Sequence, residues 1–491
     1  MLAASFPKFG HPAFAWIALT PLLVAVALEQ TSGRSMLRIV RLGLLTGVVY
    51  FGGTLYWVVG VMTTYGGLPW LVALLVGALL VAYVAIYPAV FALLVARAVR
   101  TFGVLGVWLA PCFWVATEWV RSSFGGGFPW VLFGASQARV VPIVQVASVT
   151  GVYGLSWLLA LVGAAAAAVV LSRRRTHLAG AALVGVLVVA TATVGAMRVR
   201  EGSLVTRGAP LRVGLIQGNV EQDVKWNPQF ADPIMGRQLD LSRRVIGQGA
   251  ALVIWPESSI PFYFNDEPAR AEPVRRLAAQ AQTPFLIGTD EFERTATGDK
   301  YYNSAVLVGP DGRSRSSYHK MRLVPFGEFV PMKRLLFFVG PLVQAVSDFS
   351  PGTEPYVFDI DGYHVSVAIC YESVYPWIGR AFVQRGSELL ATVTNDAWFD
   401  RSSAAYQHFE QAGLRAVEEG RYVVRAANTG ISGAVDPYGR PLVETRLFDL
   451  TAVTVDVRLL TDRTIYSRFG DIIAWLSLAV TAWIVLAGRR R

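Results

Sequence analysis

The sequence predicts a polytopic α-helical membrane bundle joined to an α/β sandwich domain. Three observations predict it. Hydrophobic residues make up 54% of the 491 positions and charged residues only 16%, a balance too apolar for a wholly water-soluble chain. The apolar residues are concentrated before residue 198 and again from about 470 to 488. Between these regions, short β-branched runs alternate with helical stretches and turn signals, which is the pattern of an α/β domain.

A crossing helix needs about 20 mostly apolar residues. Segments near 12–29, 42–62, 69–96, 103–120, 149–171, 178–197 and 470–488 meet that length within tolerance, almost free of ionisable residues, with Glu118 at an edge. The first segment lacks a cleavage site and is followed by further spans, so it reads as a retained helix and not a removed signal peptide. The expected organisation is a bundle of about six spans over 1–200, a globular domain over 205–460, and a final span with a basic tail over 468–491.

The net charge of +10 has a definite location. One set of alternate connections holds Arg34, Arg38, Arg41, Arg97, Arg100, Arg173, Arg174, Arg175, Arg489, Arg490 and Arg491, opposed by Glu29, and this set accounts for the whole excess. That is a positive-inside signature and not a nucleic-acid surface. With an odd number of spans, it puts the amino terminus and the large domain outside the cytoplasm and the carboxyl terminus inside. Arg121, Arg139, Arg198 and Arg200 fall on the outer side, so the rule acts as a bias. The two cysteines, Cys112 in a span and Cys370 in the globular domain, are too few and too differently placed for a disulfide framework.

Within the globular region, strands are expected near 211–217, 251–255, 283–288, 303–308, 364–370, 388–394, 421–427 and 452–457. Helices are expected near 231–247, 268–281 and 403–419, the last closed by Gly420. Pro310-Asp311-Gly312 and Asp436-Pro437-Tyr438-Gly439 mark turns. A long connection from 328 to 352 has a very apolar centre, 335–343, including Phe337 and Phe338. It reads equally as a core helix and as an interfacial arm dipping among acyl chains.

Three strings place a reactive side chain at or just beyond a strand end: Trp255-Pro256-Glu257-Ser258, His319-Lys320-Met321-Arg322, and Ile369-Cys370-Tyr371-Glu372. Strand ends suit catalysis because the ladder fixes the residue while the following turn exposes its tip. A soft nucleophile, a base to take its proton and a cation for the developing oxyanion are the parts of an acyl-transfer site. Cys370, Glu257 and Lys320 are of those types. Taken singly, each also has a bland reading: Glu257 as a helix cap, Lys320 as a solvated charge, Cys370 as a core residue.

Together the strings resemble those of the nitrilase superfamily, and further strings resemble the apolipoprotein N-acyltransferases within it. These are Gln217-Gly218-Asn219-Val220 with Trp226 downstream, Asn395-Asp396-Ala397-Trp398-Phe399, Gln407-His408, and Asn428-Thr429-Gly430. Glu118-Trp119-Val120-Arg121 and Gly127-Phe128-Pro129-Trp130 resemble the family's membrane portion, so the likeness covers almost the whole chain. It implies an α-β-β-α sandwich, with Glu257 as general base, Lys320 as electrophilic stabiliser and Cys370 as nucleophile. Glu328 matches a glutamate that positions the triad, and Tyr371 and Glu372 match the places beside the nucleophile. Trp226 and Trp398 match aromatic positions near the lipid site, with Phe337 and Phe338 as further lipid-contact candidates, and Asn395 and His408 match supporting positions behind it. The family usually carries eight spans, and 1–7 reads as only the tail of the first.

The resemblance further implies a phospholipid acyl donor, a diacylglyceryl apolipoprotein acceptor, a thioester intermediate, and a monomer in the bacterial inner membrane with its catalytic domain on the extracytoplasmic face. No cofactor, metal or nucleic acid is expected, since ester to thioester to amide runs downhill, the five histidines are scattered, and neither a phosphate loop nor a ligand cluster is evident. The nearest alternative is a membrane-tethered amidase acting on a small amide, for which six preceding spans have no use. A transporter would place paired charges or broken helices at mid-bilayer, and the sequence shows neither.

Overall fold

The computed structural model describes every residue except 34, 223, 297, 330–348 and 488–491. The helical part comprises α1 (Thr20–Thr31), α2 (Met36–Leu55), α3 (Trp57–Thr64), α4 (Trp70–Phe102), α5 (Ala110–Ser123), α6 (Val141–Val144), α7 (Ala147–Leu171), α8 (Arg175–Glu201) and the short α9 (Ser203–Thr206). Among the described residues, five helical stretches are long and apolar enough to cross a membrane. Helix α7 lies at the centre of the bundle, against α1, α5 and α8. By contrast α8 turns most of its apolar surface outward, with Leu183, Val186, Val189 and Val194 exposed, as a lipid-facing helix does. Helix α2 lies close along α4 because Gly43 and Gly47 face it, and a Cβ on Gly43 would come within 2.5 Å of the Ala89 Cα. Small residues allow such backbone contact where lipid offers no hydrophobic drive for association.

The helix bounds differ from the sequence expectation at three places, each for a local reason. The segment expected at 42–62 is two helices, α2 and α3, meeting at Tyr56. Those expected at 69–96 and 103–120 form one helical run, 70–126, in which Gly103 (φ 60°) turns the chain so that a 3-10 stretch (Gly103–Leu109) and α5 fold back on α4. The last, expected from 470, is α15, which starts at Ile472 after Gly470 (φ 72°) and is described to Ala487. Glu118 is buried in α5 and accepts the Phe133 N–H at 2.6 Å.

Among the described residues the globular part holds twelve strands in two six-stranded sheets. The first sheet has the order β12 (Thr451–Leu459), β1 (Ala209–Gln217), β2 (Leu252–Ile254), β3 (Phe285–Thr295), β4 (Gly298–Val308) and β5 (Ser314–His319). The second runs β11 (Pro441–Glu444), β10 (Gly433–Val435), β9 (Val423–Ala427), β8 (Leu389–Thr394), β7 (Tyr363–Ile369) and β6 (Phe358–Ile360). In each sheet three adjacent strands are parallel, β1-β2-β3 and β7-β8-β9, and the outer strands add antiparallel.

Strand alternation sorts the first sheet's side chains into two layers. Val213, Leu215, Leu252, Ile254, Leu286, Ala305 and Leu307 belong to the core shared with the second sheet. Ile216, Val253, Trp255, Phe285, Ile287, Val306 and Val308 belong instead to a separate core with α10 (Ala231–Gly247) and α11 (Pro268–Ala281). Helices α12 (Pro376–Gln384) and α13 (Ala404–Glu419) pack on the second sheet, giving α-β-β-α layers, and α14 (Ile465–Phe469) leads into α15. Helix α13 lies directly against α7, so the sandwich sits on the bundle.

Candidate active site

The chemistry-bearing residues gather where the parallel strands end, the usual place for a site in such sheets. Glu257 lies three residues beyond β2, Cys370 directly follows β7, Asn395 directly follows β8, and Lys320 directly follows β5. Strand ladders anchor each residue from behind. The Lys320 N–H donates to the Asn303 carbonyl at 2.8 Å, and the Lys320 carbonyl accepts from Gly352 at 2.8 Å.

Glu257 and Lys320 are buried and in contact. Lys320 Nζ donates to Glu257 Oε1 at 3.1 Å and to Glu328 Oε1 at 2.7 Å. The Asn303 amide bridges the same two carboxylates, at 2.7 Å to Glu257 and 2.8 Å to Glu328. The second oxygen of Glu257 accepts the Asn395 N–H at 2.8 Å, and that of Glu328 accepts the Val324 N–H at 2.8 Å. Burial alone would push Glu257 up, but Lys320, Asn303 and Lys225 overcome it and hold the carboxyl below its ordinary range. Burial likewise opposes charge on Lys320, yet Glu257 and Glu328 hold its ammonium well above the usual lysine value.

Cys370 starts a 3-10 turn (Cys370–Val374) with φ 51°, a left-handed conformation that costs a non-glycine residue about 1–3 kcal/mol. Burial, then the neighbouring Glu257 carboxylate, push its thiol well up, against the pull of Lys320 and the Thr394 hydroxyl. The resting pair is therefore a carboxylate at Glu257 and a neutral thiol at Cys370, an arrangement suited to general-base deprotonation during attack.

The turn bearing Cys370 is fixed on two sides. Glu372 accepts the Ile369 N–H at 2.8 Å with one oxygen and, with the other, the Tyr318 hydroxyl at 2.8 Å and the N–H groups of Met321 and Arg322. It thus joins the turn bearing Cys370 to the one bearing Lys320. On the other side the Cys370 carbonyl accepts from Ser373 Oγ at 2.9 Å and from His408 Nε2 at 3.0 Å. His408 is backed by Asp396 and Arg425, which contact each other at 2.7 Å. Burial, reinforced by Arg425, lowers the His408 pKa, so it acts as a neutral strut.

The sequence-selected residues do not all converge. Tyr371 is buried and turns its ring to Trp130 of the helical part, stacked at 6.3 Å. Trp398 packs edge-on against Tyr65, beyond α3, at 5.0 Å. Trp226 stands exposed on the loop after β1. Phe337, Phe338 and the apolar 335–343 segment lie outside the described residues.

Sequence reasoning missed Asn303, Lys225 and the Trp130 seam. The available signal for Asn303 was a polar Asn-Ser pair inside an apolar strand, and for Lys225 a lysine immediately before a singled-out tryptophan. Trp130 donates its indole N–H to Gln407 at 2.8 Å and packs against Trp57, Phe399 and His408. Among the described residues no group of His, Cys, Asp and Glu could hold a metal.

Residues 1–165 match the family model described as the apolipoprotein N-acyltransferase N-terminal domain, and residues 212–464 match that described as carbon-nitrogen hydrolase. A protein named apolipoprotein N-acyltransferase from Geobacter metallireducens is 41% identical, the alignment covering 100% of this chain and 94% of the relative. Proteins of the same name from Methylococcus capsulatus and Vibrio cholerae are 35% and 30% identical, covering 100% and 96% of this chain and 95% and 92% of their own. Among solved structures, an amidase from Nesterenkonia sp. is similar at TM-score 0.39 and 23% identity, over 54% of this chain and 95% of the amidase.

Proposed function

The chain belongs to the apolipoprotein N-acyltransferase family, and from that premise we propose that it moves a fatty acyl group from a membrane phospholipid, through a thioester on Cys370, to an apolipoprotein. The acceptor is the α-amino group of the N-terminal S-diacylglyceryl cysteine. The contact of Lys320 Nζ with both Glu257 and Glu328, beside the turn that carries Cys370, is the observation that carries this reading.

In the first half-reaction Glu257 takes the thiol proton as the sulfur forms a bond to the ester carbonyl carbon. The carbonyl electron pair moves to oxygen, where the Lys320 ammonium, with the Tyr371 N–H, stabilises it. The pair returns, the carbon–oxygen ester bond breaks, and Glu257 gives its proton to the departing lysophospholipid alkoxide. In the second half the acceptor amine attacks the thioester, Glu257 removes the amine proton, the carbon–sulfur bond breaks, and the thiolate regains the proton. One ester and one amine become one alcohol and one amide, in a ping-pong order that needs no external energy source.

The arginine distribution supports an extracytoplasmic sandwich on the inner membrane. In that placement both lipid substrates arrive by lateral diffusion, and an acyl-lined site near the interface holds little water to compete with the amine.

Incubating the purified protein with acyl-labelled phospholipid and a diacylated lipopeptide tests the whole reading. A hydroxylamine-labile acyl-enzyme should form, disappear in Cys370→Ser, and give a triacylated peptide by mass spectrometry. Label retained in Cys370→Ser would remove the nucleophile assignment, and free fatty acid as sole product would favour the amidase-like hydrolase.

A further inference from the structure

Lys225 is a second lysine buried beside the triad, and the reaction as written does not use it. It lies on the loop between β1 and α10, next to the exposed Trp226, and its Nζ donates to the main-chain carbonyl of Glu257 at 3.4 Å. Asp290 on β3, Glu257 after β2 and Cys370 after β7 all interact electrostatically with it. Asp290, itself buried, is bound by the Ser258 hydroxyl at 2.7 Å.

The charges in the site give such a cation a use. Two carboxylates, Glu257 and Glu328, face one ammonium, Lys320. As Glu257 takes the thiol proton its charge passes to sulfur and then to the acyl oxygen, while Lys320 is still paired with Glu328, so the developing charge lacks a full counter-ion in a low-dielectric site. Lys225 adds a positive charge from the loop after β1, offset in part by Asp290, and its contact with the Glu257 carbonyl also holds the segment bearing that carboxylate.

We propose that Lys225 is a positioning residue that compensates the negative charge developing at Cys370 during acyl-enzyme formation, with Asp290 setting the strength of its field. The proposal rests on Cys370 being the nucleophile. The charged or titratable groups facing that thiol are Glu257, Lys320, Lys225 and Asp396, with the Thr394 hydroxyl.

The test is the pH dependence of Cys370 alkylation by iodoacetamide in the detergent-solubilised full chain, alongside acyl-enzyme formation from labelled phospholipid. Lys225→Met should raise the alkylation midpoint by about one pH unit and slow acyl-enzyme formation about tenfold at fixed pH. Lys225→Arg should restore most of both. Asp290→Asn, which frees Lys225 from its counter-charge, should move the midpoint the opposite way. Opposite signs from the two members of one pair cannot come from general loosening of the fold. An unchanged profile in folded Lys225→Met, or equal shifts in both variants, would overturn the proposal while leaving Cys370 as nucleophile. Label surviving in Cys370→Ser would instead remove the premise.

Discussion

The Glu372 carboxylate accepts the Tyr318 hydroxyl at 2.8 Å, and through this knot the first sheet sets the position of the turn that carries Cys370 after the second sheet's β7. The four donors converging on Glu372 come from the two sheets and the turns that follow them, so the distance between the Lys320 ammonium and the Cys370 thiol is fixed largely by main chain. Tyr318→Phe removes one donor and should cost about 1 kcal/mol of stability and several-fold in turnover. Glu372→Gln turns an N–H toward a donor and should reduce turnover by about a hundredfold or more. Thermal melts and lipopeptide acylation of the same preparations separate the two effects.

Asn303 holds Glu257 and Glu328 apart through one amide group. Asn303→Asp sets a third carboxylate against them and should abolish acyl-enzyme formation. Asn303→Ala only frees the two carboxylates and should lower kcat by about ten- to a hundredfold, with a smaller change in KM. Equal activity of the two variants would contradict this electrostatic account.

Trp130 is buried between bundle and sandwich. Trp130→Ala should destabilise the protein by about 3–5 kcal/mol through the cavity it leaves. Trp130→Phe keeps the ring contact with Tyr371, loses the bond to Gln407 and should cost about 1 kcal/mol. Scanning fluorimetry in one detergent gives both values.

Glu419 in α13 is raised to about 8 by burial and by the neighbouring Glu418. Unfolded, it titrates near the ordinary value of about 4.3. Between these values the folded protein keeps a proton that the unfolded chain has lost, so this group's effect on stability worsens as pH rises from about 4.3 through 8. Glu419→Gln should therefore melt higher than the parent at pH 8.5 and nearly the same at pH 4.5. A difference independent of pH would count against the assignment.

Much of this architecture was legible in the sequence where one signal dominated. Helices α10, α11 and α13 follow their apolar periodicity, and the parallel strands follow runs of Val, Ile and Leu buried on both faces. Edge strand β12 was legible, but edge strands β5, β6 and β11 were not. Strand β5 reads Ser-Arg-Ser-Ser-Tyr-His, which has no β-branched residue, and it is held by its ladder to β4. Strands β6, β10 and β11 are three or four residues long, too short for any period. Helix α12, opened by Pro376, was also missed. Glu257, Lys320 and Cys370 stood out by residue type at strand ends, but Asn303 joins the site through contacts spanning 46 positions to Glu257 and 25 to Glu328, which no local pattern encodes.

Because Tyr371 follows Cys370 in the chain and rests its ring on Trp130, the turn bearing that thiol takes part of its aromatic support from the helical half of the molecule. A fragment of residues 205–460, without α15, would carry Glu257, Lys320 and Cys370 yet present a bare greasy platform where that indole belongs. Anyone seeking a crystallisable surrogate would have to resurface Tyr371 and Phe399 first, and would then be altering the residue next to the one under study.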